Sequence, residues 1–281
     1  MSEFLFPLAK KFIGGTTLKE ALRVINHLQR RGFLTRLDLL GESAKSPSEA
    51  MLATQRYIEA LQSKNILVQL TQMGLDFNPR LCQKNLFQVA SVAQSVGGRV
   101  TVDEEGSSYA AQILEMVKEV HAKVPVLSLV LHAHLRRAPE DAIDLLRHRV
   151  HIHLTKGDGK EPLSIALQDP TRIDQQYGAV MKRLLTSGQT TVLATQDETI
   201  IQTAIDFAER EKISSEAFEF QFPYGLCSKL SARLVRQGWR VRWTVPCGPV
   251  WIPYAKQLSA ELLGSLVGRV HRRVQNLFKT A

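Results

Sequence analysis

The sequence predicts an α/β protein, a single (β/α)8 TIM-like barrel with an extra helical segment at its N-terminus, and three observations predict it. Eight short runs rich in β-branched and apolar residues begin near Thr35, Ile66, Arg99, Val126, Val150, Thr191, Ala217 and Arg240. Most gaps between these runs hold one segment of helical apolar period, as βα units require. The chain has 281 residues, and a barrel of this kind needs about 250. No linker or charge block divides it, so the expected organisation is one domain over 1–281, with a helical segment at 1–33 and the barrel at 34–281.

The helices carry their own start signals. Thr17 and Glu20 make a capping box ahead of Leu18, Leu22, Ile25 and Leu28, and Gly32 can close that helix. Ser46, Pro47 and Glu49 combine a cap, a proline at the first helical position and a returning carboxylate. Pro139, Glu140 and Asp141 open a helix through Leu146, and Asp197 with Glu198 opens one that runs to Glu211.

Composition narrows the function classes. With 44% apolar and 22% charged residues a large core can be buried. The longest apolar stretch, Val124 to Leu131, has the length of a strand, well short of the roughly 18 residues of a membrane span. The first residues, with Glu3 and Pro7, lack a signal-peptide layout, and Cys82, Cys227 and Cys247 show no metal spacing, as reduced thiols of a cytoplasmic protein would. Net charge is +9, and its densest cluster is Arg269, His271, Arg272, Arg273 and Lys279, interleaved with Leu266, Val267, Val270 and Val274 at helical spacing. That pattern reads as an amphipathic helix with a solvated basic face. Phe278 is the sole aromatic within the cluster, so no nucleic-acid partner is expected. Neither a phosphate-binding glycine loop nor a serine nucleophile elbow is present.

In such a barrel the chemistry sits at the C-terminal ends of the strands. The residues placed there are Glu42, Thr71, Asp103, His132, His134, His153, Lys156, Thr195, Glu219, Gln221 and Thr244. Asp103 reads as an acid–base residue or as an acceptor that fixes neighbouring basic groups. Glu104 is a second acid–base candidate, and Glu104 and Glu105 otherwise read as loop or rim residues. Glu219, on the face of Gln221, needs a partner if buried, with Lys156 or a histidine as candidates.

At these strand ends the sequence resembles the proline dehydrogenase family. LTRLDLLGESA (34–44), VTVDEE (100–105), HLRRAPED (134–141), LTKGDGKEP (154–162), ATQD (194–197), FEFQFPYG (218–225) and RVRWTVPCGPVWIPY (240–254) follow the family's segments in order. The resemblance implies an FAD-dependent dehydrogenase that oxidises a C–N bond of an amine or imino acid by hydride transfer to flavin, then passes electrons to a quinone or another acceptor. It places Asp103, His132, His153, Lys156, Gly157, Thr195, Gln196 and Gln221 around the cofactor. It places Asp103, Gln69, Thr244, Tyr254, Gln257, Leu258 and Glu261 around the substrate. It implies a cytoplasmic protein, peripheral to the membrane at most.

The departures from the family pattern are informative. The family ends its pocket with Tyr-x-x-Arg-Arg-x-x-Glu, whose arginines grip a carboxylate. Here the segment runs from Tyr254 to Glu261 with Gln257 and Leu258 at the arginine positions, and Lys256 adjacent. Leu258 cannot make a guanidinium–carboxylate pair. A family lysine is Gln69, a pocket tyrosine is Thr244, another tyrosine is Gly159, and a histidine is Gln196. A flavin-contacting glutamine and arginine are His132 and His153. An amine lacking a free carboxylate, or a larger substrate, is expected in place of proline. Two alternatives stand beside this reading. His132, His134, His151 and His153 form two His-x-His pairs on consecutive strands, and if their imidazoles converge, His132, His134 and His153 make a metal site. The other alternative is a non-catalytic relative.

Overall fold

The computed structural model describes residues 11–157 and 161–255. Eight parallel strands close into a barrel in sequence order. They are β1 (Leu34–Leu39), β2 (Asn65–Val68), β3 (Arg99–Val102), β4 (Leu127–His132), β5 (His151–Thr155), β6 (Thr191–Ala194), β7 (Phe218–Pro223) and β8 (Arg240–Cys247). Each expected strand is present within a residue of its predicted start.

Helix α1 (Leu18–Arg30) precedes the barrel and is the extra N-terminal element. Its Thr17–Glu20 capping box is formed, and its buried Ala21, Ile25 and Leu28 join the core. The connections supply α2 (Pro47–Ala60), α3 (Pro79–Ser95), α4 (Ser107–His121), α5 (Ala138–Arg147), α6 (Pro170–Leu185), α7 (Glu198–Arg210) and α8 (Ser228–Arg236). Ser46 caps α2 by accepting from the Glu49 amide, and Asp197 caps α7 by accepting from that of Thr199. Among the described residues no helix is long and apolar enough to cross a membrane.

Strand alternation divides the apolar core from the polar interior. Leu37, Ile66, Val100, Leu129, Ile152, Leu193, Phe220 and Val241 point outward and are buried under the helices. The inward positions are unusually polar. Parallel pairing runs from Asp38 through Leu67, Thr101 and Ser128 to His151. Because tilted strands stagger by about one residue per neighbour, side chains at one height come from alternate strands. Arg36, Thr101, His153 and Gln221 therefore form one layer, contributed by the four odd-numbered strands. Asp38, Asp103, Thr155 and Pro223 form the next layer toward the C-terminal mouth. Leu34, Arg99, His151 and Glu219 lie one layer down.

Candidate active site

The central layer is a hydrogen-bonded lattice where such barrels usually stack aliphatic side chains. Arg36 Nη1 lies 3.0 Å from His153 Nδ1, and Arg36 Nη2 donates to Thr244 Oγ1 at 3.2 Å. Thr101 Oγ1 lies 3.4 Å from His153 Nε2 and 2.9 Å from Ser128 Oγ. Gln221 Oε1 lies 3.1 Å from His153 Nδ1. Burial first, then Arg36 and Arg242, hold the His153 pKa well below that of an ordinary histidine, so the ring is neutral. Arginine can only donate, so Nδ1 accepts and the ring proton sits on Nε2, toward Thr101. The Gln221 amide suits this tautomer with its NH2 group turned to the ring. Burial draws the Arg36 pKa down to about 10 against the pull of Asp38 and Asp103.

Above this layer carboxylates accumulate. Asp38 is 9% exposed; burial first, then Asp103, pushes its pKa up to about 7, while Arg36 opposes the shift. Glu104 and Glu105 lie in the loop after β3, turned in from its rim, with Glu105 half-buried. Glu104 is buried, accepts from the His132 amide at 2.7 Å, and is pushed up to about 8, mainly by burial. Its Oε2 also stands 3.7 Å from His132 Nδ1. Glu105 accepts from the amides of Leu70 and Thr71 and from Thr71 Oγ1, and burial pushes it up to about 7.

Around the rim, Gln69 accepts from Gln72 Nε2 at 2.6 Å, and its amide donates to the Tyr57 hydroxyl. Lys156 is held by Asp174 at 2.5 Å and Asp197 at 3.0 Å. Thr195 is buried and accepts from the Asp197 amide. Gln196 is exposed, 3.7 Å from Cys227 Sγ. Gly157 has φ +82°, and a Cβ there would stand 1.8 Å from His134 Nδ1, so only glycine lets this turn pass the buried imidazole. Tyr254 packs against the cluster of Ile13 and Trp251. Glu42 is exposed.

Several expectations need correction. Glu219 sits at the barrel's N-terminal end and is paired with neither Lys156 nor a histidine. Its carboxylate takes Arg242 Nε at 2.6 Å and Arg240 Nη2 at 2.9 Å. His153 and Thr244 belong to the barrel interior, below the strand ends. The four histidines do not converge. His151 Nδ1 meets the Thr190 carbonyl on the layer below, His153 is held by Arg36, and the rings of His132 and His134 are 5.7 Å apart beyond them. Among the described residues no group of three or more His, Cys, Asp or Glu is arranged to hold a metal ion. Gln257, Leu258 and Glu261, with Lys256, Gly159 and the basic cluster at 269–279, lie outside the described residues. Arg36 and Asp38 were missed, although LTRLDL places both charges on one face of a strand, opposite Leu37 and Leu39.

The fold and this polar, carboxylate-rich mouth define the class: a (β/α)8 protein whose titratable groups gather at the C-terminal ends of its strands, as in enzymes of this architecture. The sequence profile described as Proline dehydrogenase matches residues 21–157 and 162–254, and the chain belongs to that family. It is 30% identical over 260 residues to Proline dehydrogenase 1 of Bacillus subtilis (strain 168), covering 90% of this chain and 86% of that protein. It is 29% identical over 269 residues to Proline dehydrogenase of Deinococcus radiodurans, covering 92% and 87%. Among solved structures it is similar to proline utilization A (PutA) from Bdellovibrio bacteriovorus inactivated by N-propargylglycine, with a TM-score of 0.83, 22% identity and 92% of this chain covered. PutA from Corynebacterium freiburgense superposes with a TM-score of 0.76 at 15% identity over 87% of this chain. The chain spans about a third of the length of these PutA chains, 32% and 29%. These relatives make it a proline dehydrogenase-like oxidoreductase.

Proposed function

We propose that this chain, as a single domain, is an FAD-dependent dehydrogenase that oxidises the C–N bond of an amine related to proline but recognised without a pair of carboxylate-gripping arginines. Family membership carries the oxidoreductase class. The donor set at the mouth is compatible with the flavin. The Gln221 carbonyl suits an imide N–H, and the half-buried His132 ring suits a carbonyl of the same edge. Bound FAD supplies the hydride acceptor and the route by which electrons leave for a quinone or another acceptor. The chain's own part is to orient and to hold charge. Arg36 and His153 fix Gln221. Gly157 keeps backbone close to His134, while Lys156, Thr195 and Gln196 line the neighbouring rim, and Asp103 faces the mouth beside Gln69.

The substrate reading rests on Gln257 and Leu258, which stand where the family has arginines. A bidentate guanidinium–carboxylate pair is directional and strong, and neither residue replaces it. Tyr254 and Glu261 retain the family's identities at the ends of that segment. The test is a visible absorbance spectrum of the purified protein, followed by anaerobic titration with cyclic amines. Stoichiometric flavin bleached by proline methyl ester more readily than by proline is the expected result. A colourless protein that takes up no added FAD, or tight binding of a simple proline analogue with its carboxylate free, overturns it.

A further inference from the structure

We propose that Asp38 and Asp103 act as one two-carboxylate proton acceptor at the barrel mouth, taking a proton from a protonated amine substrate and leaving the neutral amine. This rests on the amine-oxidising reading above and adds the proton's destination. The geometry comes from the barrel. Asp38 on β1 and Asp103 at the end of β3 are inward residues of one layer on alternate strands, and the Asp103 amide continues the ladder by donating to the Val68 carbonyl at 2.9 Å. Arg36 lies two residues before Asp38 on the same face, one layer below both carboxylates. Its guanidinium is turned into the lattice, onto His153 and Thr244, so it tempers the pair's charge from below. Two carboxylates near one cation are one negative charge in excess, and such a pair binds its first proton readily.

The charged and titratable groups that face Asp38 come from each packed element. They are Arg36 on its own strand, Asp103 beyond β3, Tyr57 on α2 and Cys247 on β8. Glu104 and Glu105 face Asp103 from the other side. Burial and Asp103 both raise Asp38, to about 7, which puts its titration where an acceptor is needed at neutral pH. A secondary amine is mostly an ammonium ion there, and its nitrogen lone pair must be free before the adjacent C–H can leave as hydride. The step balances: the N–H bond of the ammonium breaks, one O–H bond forms on the pair, and the pair goes from two negative charges to one. Bound flavin would supply the hydride acceptor for the oxidation that follows.

The experiment uses the FAD-loaded full chain and its Asp38→Asn, Asp38→Glu and Asp103→Asn variants, each first checked for a cooperative thermal transition. Infrared difference titration between pH 5 and pH 9 reads protonated carboxyl groups. Glu104 and Glu105 contribute in all four proteins, so the variant-minus-wild-type difference carries the result. The pair predicts a carboxyl signal with a midpoint near 7 that Asp38→Asn removes, Asp38→Glu restores and Asp103→Asn moves to lower pH. It also predicts that kcat/KM for proline methyl ester rises about tenfold per pH unit below the midpoint and levels off above it, and that in Asp38→Asn this plateau is lost and the rise continues toward the substrate amine's own pKa. A signal indifferent to Asp103→Asn, or a plateau near pH 7 that persists in Asp38→Asn, overturns the pair. If wild type oxidises amines without the aspartate-linked signal, only the pair falls. If the signal is present but no amine reduces the flavin, the amine reading falls and takes the acceptor role with it.

Discussion

Gly157 shows how far one missing carbon can reach. Its φ of +82° is open to glycine, and an added Cβ meets the ring of His134 within bonding distance of Nδ1. His134 is itself fixed, since its amide donates to the Lys156 carbonyl and its carbonyl accepts from the Leu167 amide. The ring cannot retreat without disturbing both segments. Gly157→Ala is therefore expected to displace the turn after β5 at a cost of about 1–3 kcal/mol. Flavin content should fall with it, read as the absorbance ratio of the purified variant and as a lowered melting midpoint. A variant that keeps full flavin and an unchanged midpoint would show that the turn has slack. A second residue-scale case is Arg36. Truncation to Ala removes the donor to His153 and Thr244, and frees the ring to change tautomer or charge. The His153 imidazole signals in an NMR titration should then move toward the ordinary histidine range, because the nearest cation has gone.

At the scale of elements, Glu219 ties β7 to β8. Its carboxylate is 4% exposed, the inward side chain of Arg242 is 12% exposed, and that of Arg240 is 39% exposed. Those exposures decide the ranking of variants. Glu219→Ala strands the Arg242 guanidinium in the barrel floor and is expected to cost about 3–5 kcal/mol in urea denaturation. Arg240→Ala removes a partly solvated partner and should cost no more than about 1 kcal/mol. Equal losses would mean that the outer arginine carries the pair.

The elements themselves were legible because the sequence states them locally. Alternation, capping boxes and proline at helix starts are short-range signals, and all eight strands fell where these put them. Heights around the barrel are different. Whether a strand residue lies at the floor, the middle or the mouth depends on stagger summed over every pairing, which no single segment contains. That is why Glu219 and His153 were placed at strand ends, why the histidine pairs looked convergent, and why Arg36 and Asp38 were passed over. Burial has the same character: Glu104, three residues past the middle of a strand, looked like a rim residue until the His132 backbone closed over it.

For the whole molecule, these buried groups set how stability follows pH. Asp38, Glu104 and Glu105 have folded-state pKa values raised to about 7, 8 and 7, against about 4 in an unfolded chain. A raised pKa gives stability that is fully present below the unfolded value and is lost as pH climbs through the folded one. His121, His151 and His153 are shifted the other way, each lowered mainly by burial. Folded, they take up a proton at lower pH than an unfolded histidine, which does so below about 6.5, so their contribution is lost as pH falls. Between about pH 5 and 6.5 the carboxyl groups and the imidazoles pull in opposite directions, so stability should change less there than above 6.5. Above about 6.5 the imidazoles no longer contribute and the carboxyl groups act alone, so stability should fall steadily to about pH 8. The buried Cys82 and Cys247 thiols, raised to about 12 and 11, extend the decline once unfolded thiols begin to ionise. Urea midpoints at pH 5.5, 6.5 and 8 check this: the fall from 6.5 to 8 should exceed any change from 5.5 to 6.5, and Asp38→Asn should recover part of the loss at pH 8. A stability that rises from 6.5 to 8 would mean that these carboxylates are solvated or paired in the folded barrel, and the layer that Asp38 shares with Asp103 would have to be open to water.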